Sequence, residues 1–262
     1  MKYSLKRIFF KRPVRSIVQL ISAAGFIITV RIVWGAAGAH NICPWTIIEV
    51  PILMLKLKLG ILYIAGITLG IVGIAATFLY PRPFCGWLCP LGTLFDFLGD
   101  IGRKIGISSK RIPHWLNEKM RIFSYGVFAL LVLLTFLKGT LVCTSACPAF
   151  WICAAGEIAM PVLTIVFLIL IFALSLRVKR GFCRYVCPYG ALTALFVPFS
   201  RKEVRGNLEV CNSCRICTNA CLMGIDFLHD FEAKSAHCIS CGECIASCPN
   251  SALFWGKRKS LK

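Results

Sequence analysis

Four long apolar runs decide what this chain can fold into. They are Ser16–Trp34, Leu57–Tyr80, the core of a third at Phe123–Leu137 and the core of a fourth at Pro161–Leu176. Inside a bilayer every backbone N–H and C=O must be satisfied within the protein, so runs of this kind read as transmembrane helices. The composition agrees: 58% of the 262 residues are hydrophobic and the mean hydropathy is +0.76, beyond a soluble domain's. Ala37-Gly38-Ala39 looks like a signal-peptidase site. The run before it outlasts the roughly 7–15 residues of a cleaved signal core, so it reads as an uncleaved first span. Arg31 lies close enough to the end of that span to snorkel.

Basic residues orient the spans. Lys and Arg number six in the N-terminal segment 1–15, seven in 81–122 and thirteen from Arg177 onward, against two in 40–58 and one in 138–160. That asymmetry predicts a multi-pass protein of the inner (cytoplasmic) membrane of a bacterium or archaeon, with both termini and the central loop cytoplasmic. The formal charge of +19 is then a lipid-facing excess rather than a nucleic-acid footprint. Trp34, Trp45, Trp87, Trp115 and Trp151 fall near the predicted boundaries and read as anchors. Leu91–Ile107 reads as an amphipathic interfacial helix.

Residues 1–204 form the expected membrane domain and 205–262 a second, smaller one. In the latter, Cys211, Cys214, Cys217 and Cys221, then Cys238, Cys241, Cys244 and Cys248, repeat C-x2-C-x2-C-x3-C, the bacterial spacing for [4Fe–4S] clusters. By cross-ligation, Cys211, Cys214, Cys217 and Cys248 hold one cluster, and Cys221, Cys238, Cys241 and Cys244 the other. Zinc would ask for ligands in pairs, commonly with His. Leu222 stands where a proline usually follows the fourth cysteine, which loosens the turn and leaves ligation intact.

The membrane part repeats. Cys85, Cys89, Pro90, Gly92 and Leu94 match Cys183, Cys187, Pro188, Gly190 and Leu192 at an offset of 98, and Cys43-Pro44 matches Cys147-Pro148 at 104. Two parallel two-helix repeats follow, related by a pseudo-twofold along the membrane normal. The axis would bring Cys85, Cys89, Cys183 and Cys187 together as a third cluster, a redox dithiol pair or buried packing thiols. Cys43, Cys143, Cys147 and Cys153 on the outer side admit a fourth cluster, disulfides or free thiols.

No G-x-G-x-x-G or P-loop is present. None of His40, His114, His229 and His237 lies inside a span, which excludes an intramembrane bis-histidine haem. His40 reads as an interfacial polar residue or as a proton acceptor at a quinol site, and Glu49 and Glu157 in the outer loops are open to both readings. No catalytic residues are legible.

Spans, Cys85-Gly-Trp-Leu-Cys89-Pro90, Cys183-Arg-Tyr-Val-Cys187-Pro188 and the two tail motifs, in this order, resemble the NapH type of membrane ferredoxin. The chain is also similar to the membrane portion of NosR and, more distantly, to CcoG. The resemblance implies four spans, cytoplasmic clusters and electron passage between the quinone pool and a partner redox chain of oxidoreductase or cytochrome subunits. The CcoG likeness implies the alternative of redox sensing or metalloenzyme assembly. Cys143 and Cys153 fall outside the NapH pattern and raise an outer redox centre.

Overall fold

A computed structural model describes residues 12–34, 41, 43–54, 64–107, 112, 114–140, 142–143, 147–153, 161–207, 209–227 and 236–258. His40, Glu157, His229 and the side chains of Trp34, His114 and Cys153 lie outside the described residues, as does the start of the second apolar run.

Helix α1 (Arg12–Thr29) continues through a π-helical turn, Val30–Trp34, and α2 is Thr46–Met54. Then come α3 (Ile64–Leu79), α4 (Pro83–Trp87), α5 (Pro90–Lys104), α6 (His114–Lys138) and α7 (Pro148–Cys153). The second half brings α8 (Val162–Arg177), α9 (Gly181–Tyr185) and α10 (Pro188–Phe196), closed by a 3-10 turn at Val197–Phe199. The tail holds β1 (Lys202–Gly206), α11 (Ile216–Ala220), α12 (Glu243–Ala246) and β2 (Leu253–Lys257).

The repeat seen in the cysteines governs the backbone. Helices α3 and α8, then α4 and α9, begin and end 98 residues apart, and so do the starts of α5 and α10. Each short helix follows an arginine in the left-handed region, Arg82 at φ 45° and Arg180 at φ 54°, a conformation costly for a non-glycine residue. Each of α5 and α10 starts on the proline of Cys-Pro, where a missing N–H costs nothing.

Two stretches are long and apolar enough to cross a bilayer, Pro13–Ile32 and Trp115–Lys138. Helices α3 and α8 are apolar too, but at 16 residues each their described parts are shorter than the roughly 20 residues a span needs. Large apolar side chains face outward along these helices, among them Leu20, Ile21, Ile71, Leu130, Leu163 and Leu170. Several polar side chains turn inward instead: Thr77, Thr135, Thr164 and Ser175 are buried.

Helix α5 packs against α1 and α8, and α10 against α3 and α6. At Gly102 a Cβ would lie 1.9 Å from the Leu176 carbonyl oxygen, so only glycine lets α5 and α8 touch there. Strands β1 and β2 pair antiparallel, with Val204 opposite Trp255, and fasten both ends of the tail domain. Trp45 and Trp151 are buried inside the protein, whereas Trp115 is largely exposed.

Candidate iron–sulfur centres and the arginines between them

The tail forms two small cavities, one lined by Cys211, Cys214, Cys217 and Cys248, the other by Cys221, Cys238, Cys241 and Cys244. Each cavity therefore gathers the three close cysteines of one motif and the distant cysteine of the other. An internal twofold at 27 residues organises this. Ser213 and Ser240, Arg215 and Gly242, and Gly224 and Ser251 all have positive φ, which curls each loop so that its thiols face inward. The backbone N–H groups of Ile225 and Ala252 donate to Cys221 Sγ (3.4 Å) and Cys248 Sγ (3.3 Å).

Among the described residues no three His, Cys, Asp or Glu are placed to hold a single metal ion. Three closely spaced cysteines of one motif joined by a fourth from the other suit a cluster whose irons each take one thiolate, so the donor sets fit [4Fe–4S]. Burial pushes Cys238 up to about 12 and Cys241 to about 11, so these thiols ionise only beside compensating positive charge.

The third set is assembled across the repeat. Cys85, Cys89, Cys183 and Cys187 lie close enough that every pair interacts electrostatically. Burial, then neighbouring thiols, pushes Cys187 up to about 12, and burial with Cys85 pushes Cys89 to about 11. Each second thiol meets the first turn of its helix: Cys187 Sγ accepts from the Gly190 N–H (3.4 Å), and Cys89 from that of Gly92.

The second tail cavity is seated on this set. A Cβ on Gly86, inside the first inner motif, would fall 2.1 Å from the Ile239 carbonyl oxygen, so its absence admits the Cys238–Cys241 loop. Trp87 Nε1 donates to the Ser240 carbonyl (3.0 Å), and Ser240 Oγ to that of Pro81 (2.6 Å). The Cys221 side rests on the second motif: Arg184 packs over Gly224, and Arg121 and Asn117 donate to the carbonyls of Met223 (2.8 Å) and Gly224 (3.2 Å). Cys85 packs both against the tail's apolar core and against the core around Trp45 and Tyr189.

Arginines exchange between the repeats. Arg82 reaches across to Gly190, while Arg180 reaches to Gly92 and donates to the Cys85 carbonyl (2.6 Å). Arg180, fully buried, forms a bidentate pair with Asp96 at 2.7 and 2.6 Å. Arg15 spans Asp96 (3.3 Å) and Glu243 of the tail (3.4 Å), and Gln19 also donates to Asp96. Burial alone would raise the Asp96 carboxyl; Arg180, then Arg15 and Gln19, hold it below the usual value. The position 98 residues after Asp96 is Ala194, so Arg82 is buried with no acidic partner among the described residues. These groups were not singled out from sequence, yet Arg82 and Arg180 share the 98-residue offset, three positions before each first cysteine, and that signal would have found them.

The outer cysteines are not remote from the inner ones. Cys43, Cys143 and Cys147 line an apolar cavity of about 560 Å³ together with Cys89 and Cys187, walled by Trp45, Phe84 and Tyr189. Glu49, fully buried, accepts from the Cys143 N–H (3.0 Å) and from Thr135 Oγ1 (3.4 Å).

A family model described as a 4Fe-4S binding domain matches residues 62–108 and again 160–205, one hit per repeat. A second model of the same description matches 208–224 and 235–251 in the tail. YccM of Escherichia coli is 28% identical over 203 residues, 73% of this chain and 56% of that protein. MJ0750 of Methanocaldococcus jannaschii is 31% identical over 187 residues, 70% of this chain and 75% of its own. The ferredoxin-type protein NapH of Haemophilus influenzae is 25% identical over 186 residues, 68% of this chain and 63% of its own. No solved structure matches the chain. Repeats, tail motifs and relatives agree: the chain belongs to the NapH-related family of ferredoxin-type proteins with 4Fe-4S binding domains.

Proposed function

We propose that this protein is a membrane-bound electron-transfer subunit whose carriers stand in a fixed row. The observation that carries this reading is the seating of the second tail cavity astride the two C-x3-C-P motifs, with Cys85 shared between the cores on either side. Cys211, Cys214, Cys217 and Cys248 would hold the outermost cluster. Cys214 is exposed, as an entry point for a partner's electrons requires. Cys221, Cys238, Cys241 and Cys244 would hold the second, and Cys85, Cys89, Cys183 and Cys187 the third. The [4Fe–4S] group supplies reversible one-electron carriage when bound.

The chain's own residues do the rest. Gly86, Trp87 and Ser240 fix the approach of the second site to the third. Arg82, Arg121, Arg180 and Arg184 surround these two sites with positive charge, which favours reduced clusters. All four guanidinium groups are buried, so those charges act with less screening than they would at a surface.

The membrane reading rests on two span-length helices and the outward apolar faces of α1, α3, α6 and α8. With the basic-residue asymmetry it gives four spans as two parallel repeats and cytoplasmic termini. The far donor or acceptor is the quinone pool or a partner oxidoreductase or cytochrome subunit; the apolar cavity beside Cys89 and Cys187 is within the size range of small-molecule sites.

Iron and acid-labile sulfide per chain, with a potentiometric titration followed by electron paramagnetic resonance, test the scheme. About twelve irons are expected for three clusters, at four each. The double variant Cys89→Ser/Cys187→Ser should lose about four and keep the tail signals. Full iron in that variant would overturn the third site, and an iron-free tail the whole reading.

A further inference from the structure

We propose that Cys143 and Cys147 form a redox-active dithiol–disulfide couple, with Cys43 as its neighbouring third thiol, placed to exchange electrons with the inner quartet across the shared cavity. The inference rests on the electron-transfer reading above and adds a different chemistry to it.

Geometry separates this set from the cluster sites. The thiols of Cys143 and Cys147 are in hydrogen-bond contact with one another. Sulfurs that ligate different irons of a cubane are held apart by it, whereas two touching sulfurs stand one bond away from a disulfide. The thiols of Cys221 and Cys248 instead accept from backbone N–H groups. Cys43 lies within electrostatic reach of Cys147, of Cys143 and, on the inner side, of Cys187. All three open on the cavity that Cys89 and Cys187 also line, and Cys147, Cys143, Tyr189 and Trp45 share one buried apolar core. The Glu49 carboxyl, buried and accepting from the Cys143 backbone N–H, is placed to relay the two protons one after the other from solvent.

The Cys143–Cys147 S–S bond breaks, two electrons arrive singly from the reduced iron–sulfur centres, and two protons convert both sulfurs to thiols; the centres are oxidised by one electron each. Run in reverse, the dithiol returns two electrons to the row. The couple thus joins one-electron carriage to two-electron, two-proton chemistry.

The test uses the full-length, cluster-loaded protein in detergent. Samples are poised at graded ratios of reduced to oxidised dithiothreitol, acid-quenched and alkylated, and Cys143 and Cys147 are followed by peptide mass spectrometry. The two should convert together on a two-electron curve, the thiol-to-disulfide ratio changing tenfold per about 30 mV. Independent conversion, or thiols that never oxidise, would overturn the couple. Cys143→Ser/Cys147→Ser should leave the iron count unchanged; loss of about four irons would overturn the couple in favour of a fourth cluster. In a second arm a reduced ferredoxin, too large to enter the cavity, supplies electrons to the tail. The couple should be reduced in the parent protein and stay oxidised in Cys89→Ser/Cys187→Ser. Reduction in both would overturn the route through the inner quartet. The dithiothreitol titration reads the couple even if the third cluster proves absent, so the two readings fail separately.

Discussion

Asp96→Asn should cost the protein most of the strength of its central ion-pair network. The carboxylate takes two hydrogen bonds from the fully buried Arg180, lies 3.3 Å from Arg15 and accepts from Gln19 at 3.2 Å. The amide keeps the shape and removes the charge, leaving Arg180 buried without its counterion. Stranding one partner of a buried pair costs roughly 3–5 kcal/mol, and the amide's remaining acceptor puts this case at the low end, about 3 kcal/mol. For chains of similar size each kcal/mol lowers Tm by roughly 2–4 °C, so a drop of about 6–12 °C is expected. Intrinsic tryptophan fluorescence during a thermal ramp in detergent, with size-exclusion recovery, reads it. The pH dependence has a definite sign. Because the folded carboxyl titrates below its ordinary value, its stabilisation is present above the unfolded pKa near 4 and is lost as pH falls through the depressed folded value. The gap between parent and variant should therefore narrow in acid. Asp100→Asn is the control: Asp100 pairs with Arg103 and Lys179 at a partly exposed site, where such pairs are worth about 0–1 kcal/mol. An Asp96→Asn protein that melts with the parent, or a gap that widens as pH falls, would refute the reasoning.

Arg82→Gln removes a buried cation near Cys187 and Cys238. At an effective dielectric near 20, any unit charge acting over roughly 8 Å is worth about 2 kcal/mol. That is about 90 mV for one electron, so potentiometric titration should show at least one centre moving to lower potential by this order. Gly86→Ala puts a methyl 2.1 Å from the Ile239 carbonyl oxygen; the tail should become protease-sensitive at its junction while keeping its iron. Gly102→Ala, with 1.9 Å to the Leu176 carbonyl, should force α5 away from α8 and lower Tm without touching the tail clusters, as melting and iron content would show.

Much of this arrangement can be read from spacing. The tail quartets follow from two three-cysteine loops closed by exchanged fourth cysteines, because that geometry is local. The 98-residue offset anticipates the pairing of the inner cysteines, and the backbone obeys it from the start of α3 to the end of α9. What spacing could not supply was depth and partnership. The Cys43 and Cys147 segments lie between apolar runs, so they read as outer, yet they line the same cavity as Cys89 and Cys187. Trp45 read as a boundary residue because hydropathy locates ends of runs and is blind to burial against other elements. Arg15, Arg82 and Arg180 counted toward orientation, and a charge count carries no sign of burial; only Asp96, two turns into a helix that looked merely amphipathic, explains why Arg180 can sit inside.

The tail is not a bead on a string. Arg15 to Glu243, Trp87 to Ser240, Arg121 to Met223 and Lys202 to Tyr80 tie it to the helical part at four points. Its transfer kinetics inside the protein should therefore be those of a solid-state relay: indifferent to solvent viscosity, which slows a swinging shuttle, and set instead by distances that folding has already fixed.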